Sequence, residues 1–257
     1  MAARTRPDRA LLRVLGAPAF VLLLWAAQLL FAKLLAGPAR GAAQAGMRGS
    51  SWFADGHRLR AVAELLFAEP GVISAIVAAL STSAVLATLF SVVAAPAILT
   101  RLAGQRSLAT MLSAVGAKLP AILVQTLYGL VFRGLCMGIA AIPAALLGAY
   151  SAPLVLLIAS FPILVLDRAR AAVVLDDARP YHPKTFLRAI VHVGKRPLWW
   201  LSGAVLESLA LSVGIGALVL VAQAEFADGS IWLARIAGLL ALIFGLWRVA
   251  LAVEDRA

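Results

Sequence analysis

Cysteine is almost missing from this 257-residue chain: Cys136 stands alone, so no intramolecular disulfide can form. Histidine is nearly as scarce, and His57, His182 and His192 fall in no spacing that would ligate a metal. Charged residues make up only 14%, against about 25% in ordinary globular domains. There is no HExxH, P-loop, GxGxxG or GxSxG, so nothing marks a zinc hydrolase, a nucleotide site or a nucleophile elbow. Acidic residues number 12 against 23 lysines and arginines, a net charge of +11. In a soluble chain that balance would point to nucleic acid. Here the basic residues flank apolar runs and form no stripe with interleaved aromatics, which excludes that reading and favours topology and anionic lipid.

What the chain has instead is hydrocarbon. The apolar share is 63% and the mean hydropathy is +0.96, more apolar surface than a soluble protein of this size can bury. A helix needs about 20 mostly apolar residues to cross a bilayer. Six segments qualify, at about 14–36, 71–99, 119–147, 153–174, 198–222 and 231–253. The third and fourth are divided by GAYSAP (148–153), where Pro153 suits a helix start. The apolar run at 14–36 exceeds the 7–15 residues of a signal-peptide core, although GPARGAAQAG offers small residues for cleavage; a retained span is the expectation. With both termini cytoplasmic, 16 lysines and arginines lie inside and only Arg40, Arg48, Arg58 and Arg60 outside. Lys33 and Arg235 sit at outer ends, where long side chains snorkel.

Two connections predict helices in the interface. Leu59, Val62, Ala63, Leu66 and Phe67 in the outer loop (37–70) recur at helical spacing. In the inner loop (167–197), Pro183 suits a first turn, and Phe186, Leu187, Ile190 and Val191 make an apolar face beside Lys184, Arg188, Lys195 and Arg196. The alternative for this second helix is an ordinary surface helix packed on the bundle. The expected fold is therefore all-α: one polytopic membrane domain over 1–257, with six spans and two amphipathic helices.

The chemistry-bearing candidates are few. Arg133 in the third span and Glu207 in the fifth lie at depths about 7–8 Å apart, within reach of an ion pair. Gly134 and Gly138 form GxxxG, which lets helix backbones approach in lipid. Asp176 and Asp177 point about 100° apart on a helix and cannot share a face. A metal held by Asp177 and His182 would need the chain to converge across Pro180. Asp167 and Arg170 are spaced to pair along an exposed helix end. Arg168, Arg170 and Arg179 then fall with Lys184, Arg188, Lys195 and Arg196 among the expected anionic-lipid or partner contacts. No cofactor is expected. Partners are membrane lipids, with a second copy of the chain or a membrane or ATPase subunit as the protein candidates.

ILTRLAGQRSL (98–108), AAIPAALLGAY (140–150) and ILVLDRARAAVVLDDARPYHPKTFLRAI (163–190) follow one another in an order that resembles bacterial six-helix membrane proteins grouped with the membrane domain of glycerophosphoryl diester phosphodiesterases. Ala144 stands where that family usually has glycine, and no Arg-Ser-Trp-like element follows the junction. The catalytic phosphodiesterase domain is absent. The resemblance implies a non-catalytic integral protein of the bacterial inner membrane, structural or lipid-interacting, with a transporter or permease component as the alternative.

Overall fold

The computed structural model describes residues 7–30, 70–179, 181–223 and 228–254, and these are helical with no strand among them. In chain order the helices are α1 (Pro7–Leu15), α2 (Pro18–Leu30), α3 (Pro70–Leu102), α4 (Leu108–Leu147), α5 (Ala152–Leu175), α6 (Pro183–Gly194), α7 (Pro197–Gln223) and α8 (Asp228–Glu254). A 3₁₀ turn, Gly148–Ser151, joins α4 to α5. Four described helical segments are long and apolar enough to cross a membrane, or five if α1 and α2 count as one bent span. The described part of α7 that meets the apolar criterion, Pro197–Val213, is shorter.

Helix boundaries differ from the expected spans for local reasons. The first span does not run straight from residue 14. Gly16 closes α1, Pro18 opens α2, and the chain turns by 74° between them. Proline without an N–H suits the first helical turn and drives the preceding residue out of the α region. Residues 31–36 of that span and the expected outer-loop helix at 57–67 lie outside the described residues. α4 begins 11 residues before the expected 119, because Ser107 is its N-cap and accepts from the Thr110 N–H. Pro120 and Pro143 are accommodated inside α4, and Pro96 inside α3.

α5 is the axis of the bundle, packing on α3, α4, α6, α7 and α8. Its Leu164, Val165, Ala169 and Val173 are fully buried, together with Val193 of α6 and Ala250 and Ala252 of α8. Glycines set the two tightest approaches. A Cβ on Gly129 of α4 would lie 3.0 Å from Leu166 Cδ1, and one on Gly203 of α7 would lie 3.0 Å from Leu164 Cγ and closer still to both its methyls. By contrast, a Cβ on Gly134 or Gly138 would meet nothing. Among the described residues, nothing packs at the expected GxxxG site; both glycines are on the outward face of α4, beside exposed Val131, Leu135 and Ile142.

Candidate functional site: a buried ion network beneath a basic helix

Asp167 and Arg170 are both buried, at 5% and 7% exposure. The sequence places them at a membrane exit, paired with each other and facing phosphates. The structure corrects this, because α5 is surrounded at that level and turns both side chains inward. Arg248 of α8 bridges two acids: its Nε donates to Asp167 Oδ2 at 2.9 Å, and its Nη1 donates to Glu207 Oε2 of α7. One helical turn on, Arg170 donates from Nη1 to Ser91 Oγ of α3 at 3.0 Å and from Nη2 to Thr126 Oγ1 of α4 at 2.8 Å. The Thr126 hydroxyl itself donates to the Ile122 carbonyl, which leaves its lone pairs for the guanidinium. Five helices thus meet at two acids and two arginines of zero summed charge. Ionisable groups in such surroundings persist only when paired and hydrogen-bonded.

The expected partner of Glu207 was Arg133. The structure pairs Glu207 with Arg248 instead, and leaves Arg133 exposed on the outward face of α4. Depth alone made the first pairing plausible; the helical phase of Arg133, beside the outward Gly134, excludes it. Arg133→Ala is accordingly expected to shift stability by no more than about 0.5 kcal/mol, measured as thermal unfolding in detergent.

A second ion pair ties the bundle's ends. Arg13 of α1 pairs through Nε with Glu254 of α8 and donates from Nη1 to the Leu102 carbonyl at the end of α3, at 2.8 Å. Below the network, Lys118 of α4 bonds Asp177, whose backbone is left-handed (φ 48) just beyond α5. That hydrogen bond, with the lysine's charge, holds the Asp177 carboxyl below the usual carboxylate range. His182 Nδ1 accepts from the Lys184 N–H as the N-cap of α6. Asp177 and His182 are thus engaged separately, and no group of three or more His, Cys, Asp or Glu side chains suited to a metal occurs among the described residues.

α6 lies against the same stretch of α4 and α5 that holds the network. Phe186 packs on Tyr128 and Phe132, at 6.0 and 5.8 Å between ring centroids, two and six residues along α4 from Thr126. Thr185, Phe186, Ala189 and Val193 face inward and Ile190 is half-buried. The expected apolar face is therefore corrected: Leu187 and Val191 are 57% and 53% exposed, and they share the outward surface with Lys184, Arg188 and Lys195. An open cleft of about 400 Å³ runs along this surface, lined by Lys184, Leu187, Arg188, Val191, His192 and Lys195.

The other expected contacts divide. Arg179 is exposed, Arg196 is half-buried, and Arg168 is half-buried with its Nη1 3.7 Å from Asp176 Oδ2. Arg170 is withdrawn from any lipid contact by its bonds to Ser91 and Thr126.

No protein-family model matches the chain, and no curated protein or solved structure matches it either.

His192 is the titrating member of the cleft. Partial burial, then the charges of Arg168 and Arg196, push its pKa from the usual 6.5 down to about 4. In the unfolded chain the imidazole takes a proton first as pH falls, so stability is expected to drop between about pH 6.5 and about pH 4. His192→Gln removes this titration. The difference in melting temperature between wild type and His192→Gln is expected to change across that window and to level off on either side of it.

Proposed function

We propose that this chain is a non-catalytic, multi-pass protein of a bacterial cytoplasmic membrane that engages and organises anionic lipid at the inner leaflet. The carrying observation is the outward face of α6, where Lys184, Arg188 and Lys195 stand among exposed Leu187 and Val191 on a helix anchored by its opposite face. Cations with an apolar flank match the boundary between phosphate and acyl chain. The buried charges neutralise one another, which fits a locking role better than a reacting one. In this reading α7 (27 residues) joins α2, α3, α4, α5 and α8 to make six spans, and both termini are cytoplasmic.

Two measurements test it. Reporter fusions after residue 45 and after residue 227 are expected to report the periplasm; a cytoplasmic signal at either would overturn the topology. Protein extracted in native-lipid particles is expected to carry anionic phospholipid in stoichiometric amount, and mass spectrometry that finds only bulk lipid would reject the lipid role.

One observation favours a second reading, that of a transporter or permease component: five helices converge on a charged junction, and such junctions also occur where helices move against each other. An ATPase recovered in stoichiometric amount, and lost on deletion of 183–196, would carry that reading instead.

A further inference from the structure

The cations on the outward face of α6 are not evenly spread. Lys184 and Arg188 are four residues apart, so they stand about 6 Å from each other along the axis and converge on one side of the helix. Lys195 follows seven residues after Arg188, about 10 Å further along and within about 20° of the same direction. Leu187 and Val191 fill the interval, offset to one flank and more than half exposed. Two anion positions are therefore separated by an apolar step. The inward residues Phe186, Ala189 and Val193 fix the helix's rotation, so the spacing is held by packing.

We infer that this face binds a phospholipid carrying two phosphates: one between Lys184 and Arg188, the second at Lys195, with acyl chain against Leu187 and Val191. The inference rests on the lipid-engaging reading above and narrows it to a ligand class. The apolar flank favours a lipid over a free phosphate compound, which would gain nothing from exposed leucine and valine. Two phosphates are favoured over one because a single headgroup reaching Lys184 and Arg188 leaves Lys195 without an anion. The half-buried Arg168 and Arg196, close enough to act on His192, add positive potential to the same end.

The test uses the full chain, delipidated in detergent and titrated with mixed micelles. These contain phosphatidylcholine alone, or with phosphatidylglycerol or cardiolipin at equal total phosphate, and bound lipid is counted by native mass spectrometry. Cardiolipin is expected to be retained at least tenfold better than phosphatidylglycerol. Lys195→Gln is expected to abolish that preference while leaving phosphatidylglycerol binding intact. Lys184→Gln with Arg188→Gln should weaken both lipids, by about fivefold for each cation lost. All three residues are exposed, and an unchanged melting temperature confirms that each variant is folded.

Equal retention of the two anionic lipids would overturn the two-phosphate site and leave the lipid-engaging reading standing. No retention of either above phosphatidylcholine would remove both. Displacement of cardiolipin by inorganic pyrophosphate, with Leu187→Ser binding as well as wild type, would show that the face takes a soluble phosphate and would also overturn the inference.

Discussion

Arg248→Ala is expected to cost about 3–5 kcal/mol, more than any other single substitution of an exposed or half-buried side chain in this protein. The side chain bridges Asp167 and Glu207, which are 7% and 23% exposed at their side chains. Removing it leaves two like charges with only Arg170, already bonded to Ser91 and Thr126, to offset them. The loss should appear as a fall in melting temperature of the detergent-solubilised protein, read by size-exclusion fluorescence. Glu207→Gln alone should cost less, because Arg248 keeps Asp167. Combining Arg248→Ala with Glu207→Gln should recover part of the loss, since Asp167 and Arg170 then balance each other. If Arg248→Ala matched the small effect expected of Arg133→Ala, the network would hold nothing together.

Gly203→Val is the second large effect, expected at about 1–3 kcal/mol from overpacking. A Cβ there runs into Leu164, which is completely buried between α5 and its neighbours. Either α7 shifts away from α5 or Leu164 leaves its rotamer. A shift of α7 would also pull Glu207, one turn on, away from Arg248. Leu164→Ala in the same protein makes room, so the double variant should be more stable than the sum of the single losses predicts. Gly134→Val, on the open face of α4, is the contrasting control and should leave the monomer's stability nearly unchanged.

The helical elements were legible in the sequence because their signals are local. Apolar length marked the long helices, and Pro183 with the alternation that follows it marked α6. Boundaries were less legible where a cap outweighed hydropathy, as at Ser107, or where a proline turned the chain, as at Pro18. The ion network was not legible, for a different reason. Asp167 and Arg170 sit next to an apolar stretch that ends in water only nine residues later, at Asp176, and their spacing equally suits an exposed pair. What decides their burial is that α3, α4, α7 and α8 close around α5 at that level, a long-range fact. No pattern within α8 names the two acidic partners of Arg248. Depth supplied a pairing for Glu207, but side-chain direction around the helix chose a different one. The same angular uncertainty moved Leu187 and Val191 from the inward to the outward face of α6.

Arg248 and Glu254 both lie on α8, the last of the described helices to leave the ribosome. Until α8 inserts, Glu207 lacks its arginine, Asp167 has only the neighbouring Arg170, and Arg13 lacks its carboxylate. The bundle therefore cannot complete its charge pairing progressively during synthesis; closure waits for the final hairpin. A chain stalled or truncated before residue 248 would present two carboxylates among its helices with Arg170 alone to offset them.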